Sequence, residues 1–171
     1  MHLCLGMRLK GEPAIFDPDD LAFAAQFGVP GVKICGSDLI SRETGNVLHA
    51  EDLERIIRQL EEFGIALSVV LLPQGRDTQY WNARLGRPER EQEALDVCET
   101  LRVIGEFGVP VVEWTWSVPD VFGSTRGTGR GGAGVRRFDY EAVREIPPVE
   151  PCEAMDAETM WERMLWFLRA I

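Results

Sequence analysis

Short β-branched apolar runs alternate along this chain with longer stretches whose apolar residues recur every three or four positions. The first pattern suits strands buried on both faces, and the second suits helices with one buried side. Strands are predicted over Leu3–Leu9, Gly31–Cys35, Ile65–Leu72 and Val109–Trp116. Helices are predicted at 18–27, at Glu51–Phe63 with Leu53, Ile56, Ile57 and Leu60 inward, and at Glu89–Phe107 with Leu95, Cys98, Leu101, Val103 and Ile104 inward. A last helix is predicted at Ala157–Ile171, where Met160, Trp161, Met164, Leu165, Phe167 and Leu168 fall at core spacing. Asp17 before Pro18 reads as an N-cap followed by proline at the first helical position.

A short phrase marks the joints. Phe27-Gly28-Val29, Phe63-Gly64-Ile65 and Phe107-Gly108-Val109 each close a helical stretch and open an apolar run. Glycine just past a helix suits the left-handed position, where a side chain would clash. Strand and helix alternating at this period predict βαβ units and a parallel sheet. The connections from helix to strand are short. The long ones, 36–50, 74–88 and especially 118–151, follow strands, and the last shows little periodicity. In βα barrels the loops after the strands build the active site. The expected fold is the (βα)4 half of a (βα)8 TIM barrel, with parallel strands and outer helices. It would form one incomplete domain over 1–171, because 171 residues fall short of the roughly 250 of a closed barrel. The next joint phrase would fall just past Ile171, so the chain reads as part of a longer pattern or as a natural half-length protein.

Composition narrows the function classes. A net charge of −10 weighs against a nucleic-acid partner, since phosphate needs a basic surface. No run approaches the roughly 20 apolar residues of a membrane helix, and the start lacks a signal-peptide core, so the cytoplasm is the default location. Cys4, Cys35, Cys98 and Cys152 form no C-x-x-C pair, so neither a zinc knuckle nor a redox motif is expected, and buried reduced thiols are. The glycine-rich run 127–134 lacks the Lys-Ser/Thr of a phosphate loop and suits a flexible segment over a site instead.

Three segments resemble the mannonate dehydratase family. Gly108-Val109-Pro110-Val111-Val112-Glu113-Trp114-Thr115-Trp116 is similar to its fourth strand, and Gly129-Arg130-Gly131-Gly132-Ala133 with Phe138-Asp139 to an Arg-Gly-Gly-Ala loop of some members. Glu158-Thr159-Met160-Trp161-Glu162-Arg163 with Phe167-Leu168-Arg169-Ala170-Ile171 resembles the segment that follows. The resemblance implies a xylose-isomerase-like barrel that dehydrates D-mannonate to 2-dehydro-3-deoxy-D-gluconate in hexuronate breakdown, with Mn2+ or Fe2+ as Lewis acid. The family's metal ligands are His, Cys, His and Asp on later strands, the first in a His-Pro-Asp-Asp-Pro motif. This chain has no such motif. His2 and His49 are its histidines, and neither has a matching context. Thr115 stands where the family has Asn, and Ser68-Val69-Val70-Leu71 lacks a Glu often found on the third strand. The implied metal would therefore have no ligands here, and the chain alone is expected to be inactive.

Candidate substrate-binding residues are Arg130, Thr115, Trp114, Glu113 and Arg126. A guanidinium at Arg130 could clamp a sugar-acid carboxylate bidentately. Arg126, Arg136 and Arg137 share its loop, and each alone reads as surface charge. Thr115 could bond substrate or simply favour the strand, and Trp114 and Trp116 suit packing or a substrate platform. Glu113 could face the pocket or pair with the helix layer, since a buried carboxylate needs a partner. Lys33 could face the barrel mouth or snorkel, and Asp38 could touch a polyol hydroxyl or, more simply, be a solvated loop residue. Two alternatives stay open: a sugar isomerase or epimerase on the same barrel, and a non-catalytic half-barrel. Exposed sheet edges would pair the half-barrel with itself as a homo-oligomer, or with a missing C-terminal half.

Overall fold

The computed structural model describes residues 3–43, 45–74, 78–116, 124–145 and 155–171. His2 and Cys152 lie outside the described residues. Four strands, β1 (Cys4–Gly6), β2 (Gly31–Cys35), β3 (Ala66–Leu71) and β4 (Val111–Glu113), form one sheet in the order β1-β2-β3-β4. All three pairings are parallel. Helices α1 (Pro18–Gln26), α2 (Ala50–Glu61), α3 (Trp81–Leu85) and α4 (Arg90–Glu106) lie between and after them, α5 (Tyr140–Val143) is a single turn, and α6 (Ala157–Ala170) is last. This is the expected half of a TIM barrel.

The joints behave as the phrase predicts. Gly28, Gly64 and Gly108 sit at φ 64°, 68° and 69°, each just past a helix. At the last, Gly108 N donates to Gly105 O at 3.0 Å and Val109 N to Ile104 O at 3.2 Å, which ends the helix and aims the chain into β4. Asp17 caps α1, its Oδ1 accepting from Asp19 N at 3.1 Å. One face of the sheet is covered by helices. Val32, Ile34 and Val70 are fully buried there with Leu21, Leu53, Ile56, Leu60 and Ile104. The other face carries Lys33, Val69, Val111, Cys35, Leu71 and Glu113 in register, and it is partly open.

Several expectations need correction. The first strand spans three residues rather than seven, although Met7 N still donates to Lys33 O at 2.9 Å. The segment after β3 contains α3, which no periodicity announces; its N-terminal amides are held by the buried Glu93 of α4. That anchor also turns α4. Glu93, Ala94, Val97, Thr100, Val103 and Ile104 are buried, whereas Leu95 is 62% exposed. Glu93 and Thr100 turn inward because α3 and the segment after β2 offer them hydrogen-bond donors, and Leu95 is thereby rotated out.

Residues within 118–151 are not formless. β5 (Ser124–Thr128) and β6 (Gly134–Phe138) form an antiparallel hairpin closed by a 3-10 turn at Arg130–Gly132. In α6, Phe167 is fully buried, but Trp161 is 60% exposed, and Leu165 and Leu168 are also exposed. The helix docks on α3 and α4 along a narrow stripe, so among the described residues half of its predicted core positions have no neighbour to cover them. The cysteines Cys4, Cys35 and Cys98 are free but not fully buried, and Cys4 is exposed on the edge strand. Among the described residues no helix is long and apolar enough to cross a membrane.

Candidate functional site

The carboxyl ends of four parallel strands come together at one end of the sheet, where a βα barrel builds its chemistry. The segment 114–116 leaves β4 there. Its alternation separates two kinds of side chain. Trp114 and Trp116 turn toward the helices, with ring centroids 6.1 Å and 5.2 Å from Phe167 of α6. Tyr80 stacks on Phe167 at 5.2 Å, so this end of β4 rests on an aromatic cluster. Packing accounts for both tryptophans. Glu113 sits on the opposite, open face, in register with Leu71 and Cys35.

The backbone of Thr115 is clamped. Tyr80 Oη donates to Thr115 O at 3.2 Å and lies 3.3 Å from Thr115 N, which can donate to it. Arg84 Nη2 donates to the same carbonyl at 3.1 Å, and its guanidinium lies 4.3 Å over the Tyr80 ring. Arg163 of α6 donates to Arg84 O at 3.3 Å and locks this arrangement to the last helix. The Thr115 hydroxyl itself makes no hydrogen bond among the described residues. Tyr80 and Arg84 therefore position Thr115, a role that sequence reasoning missed. The only available signal was a Tyr-Trp pair in an otherwise polar segment.

On the open face, Lys33 Nζ donates to Glu113 Oε2 at 2.9 Å, bridging from β2 across β3 to β4. The carboxylate beside it holds the Lys33 ammonium above the ordinary lysine range. The helix-layer pairing expected as one alternative for Glu113 thus gives way to a partner on the sheet itself, on the open face. Asp38 is not a solvated loop residue. Its side chain is 6% exposed, pairs with Arg8 and accepts from Leu9 N at 3.0 Å, tying the ends of β1 and β2 together. Between the segments after β2 and β3 lies a groove of about 390 Å³, lined by Ser37, Ile40, Asn46, Pro73 and Gln79. Gln79 is fully buried, and its amide donates to Asn46 O at 3.0 Å and to Thr100 Oγ1 at 2.6 Å, which fixes the groove wall.

The two remaining candidates stand apart from this cluster. Arg130 lies exposed in the hairpin turn, and Arg126 is exposed on β5 opposite Arg136. Neither makes a hydrogen bond or ion pair with Glu113, Trp114 or Thr115. Among the described residues no three His, Cys, Asp or Glu side chains gather closely enough to hold a metal ion. The Mn2+ or Fe2+ implied by the family resemblance does not fit them, and no chemical step is routed through a metal here.

No family model matches the chain. Among solved structures, it is similar to a mannonate dehydratase from Streptococcus suis serotype 2, with a TM-score of 0.73 at 18% identity. The likeness is one of fold. It covers 100% of this chain and 50% of that one, so the chain spans about half the length of its structural neighbour.

Proposed function

We propose that this chain forms the substrate-facing part of a hydro-lyase acting on a sugar acid of the D-mannonate class. The observation that carries the reading is the fold match over the whole chain, with a hydroxyl-bearing Thr115 at the end of β4 that no described residue satisfies. In this reading the Thr115 hydroxyl bonds a substrate hydroxyl, and the Glu113–Lys33 pair sets the charge of the open face beneath it. Arg130 at the hairpin turn takes the sugar-acid carboxylate in a two-point hydrogen-bonded pair. Dehydration removes the C2 proton and expels the C3 hydroxyl as water, steps that need an acid–base pair and an electrophile. The described residues offer no ligand set for a metal electrophile. The chain on its own is therefore proposed to bind without turnover.

The test is calorimetric titration of the 171-residue chain with D-mannonate, together with a dehydration assay in Mn2+. Binding that weakens in Arg130→Ala and Thr115→Val, with no turnover, is the expected outcome. Clear turnover, or binding indifferent to both substitutions, would sink the reading. A second reading rests on the sheet edges. Leu3 and Leu5 by β1 are 79% and 38% exposed, and Val111 on β4 is 48% exposed. Pairing of two copies through these faces would cover them. Sedimentation showing a compact monomer would count against it.

A further inference from the structure

The proposed function leaves most of the hairpin β5–β6 unexplained. All residues from Arg130 to Phe138 are exposed, so the described residues leave β6 and the turn of the hairpin uncovered. A lone two-stranded hairpin is marginal in water. Its sequence adds to the cost. Arg126 stands directly across from Arg136, and like charges in that position repel. Arg137 pairs with Asp139 at 3.1 Å, but among the described residues Arg126 and Arg136 have no carboxylate partner. Phe138, two residues along β6 and on the same face as Arg136, is 61% exposed. The segment 124–138 contains four arginines and no acid, so all 28 carboxylates of the chain lie elsewhere.

A surface of opposite character lies on the barrel body. Between α2 and the segment before α1 runs a groove of about 400 Å³, lined by three carboxylates, Glu51, Glu54 and Glu62, and two guanidiniums, Arg55 and Arg58, with Ile15 and Gln59. Arg55 is already paired with Asp52, and Glu54 with Arg58. Among the described residues Glu51 and Glu62 have no cationic partner, and Ile15 is 40% exposed. The groove thus offers unpaired carboxylates beside an apolar residue, where the hairpin offers unpaired guanidiniums beside an aromatic one.

We propose that the hairpin is an arm that docks in this α2 groove of a second copy of the chain, each copy giving its arm to the other. The exchange is isologous, so every contact is made twice. Arg126 and Arg136 are set against Glu51 and Glu62, which turns a repulsive cross-strand pair into a complementary one, and Phe138 covers Ile15. This docking is independent of the substrate reading, which uses the hairpin turn at Arg130 and the sheet mouth. The arginine- and glycine-rich segment also has the composition of a single-stranded RNA binder. The chain's net charge of −10 favours protein.

The test replaces Phe138 with the photo-crosslinking p-benzoylphenylalanine in the full chain. Equal amounts of 14N- and 15N-labelled protein are mixed, irradiated and mapped by mass spectrometry. Mixed-isotope crosslinks between the hairpin and the α2 peptide are expected. They should fall about tenfold or more in R126E/R136E and in high salt, and return when E51R/E62R is added to the first pair. Crosslinks confined within single chains, crosslinks to the open sheet face, no rescue by the second pair, or arginine-dependent retardation of single-stranded RNA in their place would each overturn the proposal.

Discussion

Phe167 is where the last helix grips the end of β4, and truncating it tests that joint. The side chain is fully buried, among Leu72, Tyr80, Ala83 and Val97, with Trp114 and Trp116 against it. Phe167→Ala removes a buried ring and leaves a cavity, a change that costs about 3–5 kcal/mol. The upper half of that range is expected, because three aromatic partners lie within 6.1 Å and each well-placed ring pair adds about 0.5–1.5 kcal/mol. In a chain of 171 residues this corresponds to a fall in melting temperature of roughly 6–20 °C. Urea unfolding followed by tryptophan fluorescence is the assay, since Trp114 and Trp116 report on the ring directly. The fluorescence of the folded variant should also change, because Tyr80 loses the surface that steadies its bonds to Thr115. A loss below about 1.5 kcal/mol would mean that the cluster collapses around the gap. It would refute the claim that α6 holds the site end of β4.

Three further outcomes follow from the packing and the charges. A Cβ on Gly31 would overlap Ser68 Oγ on the neighbouring strand, so Gly31→Ala should cost about 1–3 kcal/mol, and Ser68→Ala in the same chain should recover most of it in denaturant titration. Burial pushes the Glu93 carboxyl above the ordinary value of 4.5, against donors from Ala83 and Asn82 that lower it. The folded state therefore keeps that proton longer than the unfolded chain does. The stability contributed by Glu93 should fall as pH rises from about 4.5 to its folded value and then stay level. Glu93→Gln should remove that segment from the stability–pH curve, and an unchanged curve would contradict it. Lys33 is displaced in the same direction, but in the alkaline range. Its contribution is fully present below its unfolded value of 10.5 and is lost as pH rises through the higher folded value. With the two side chains 33% and 42% exposed, a K33M/E113Q double-mutant cycle should show coupling of about 0–1 kcal/mol at neutral pH and none in strong alkali.

The sheet and its joints were legible because they rest on local chemistry. Three glycines at positive φ and a β-branched run after each define where a helix stops and a strand starts. The candidate site was legible only in outline. Glu113, Trp114 and Thr115 do lie at the carboxyl end of β4, but their division of labour depends on which way each side chain turns and what meets it there. Tyr80 and Arg84, which hold Thr115, lie 35 and 31 residues away along the chain. The hairpin was not legible because its strands are polar and glycine-rich, so they leave no period-2 apolar signal.

Sequence alone determined the order of the four parallel strands and of α1, α2, α4 and α6, the parallel half-barrel they make and the end of the sheet that carries long segments. Each of these follows from local periodicity and from glycine's freedom at the joints. Only the tertiary structure decided that Lys33 pairs with Glu113, that Asp38 is buried against Arg8, and that Glu93 rotates α4 so that Leu95 faces solvent. A buried charge or amide takes whatever partner the fold brings within 3 Å or so. That partner comes from another element, so no pattern within one stretch of sequence can name it.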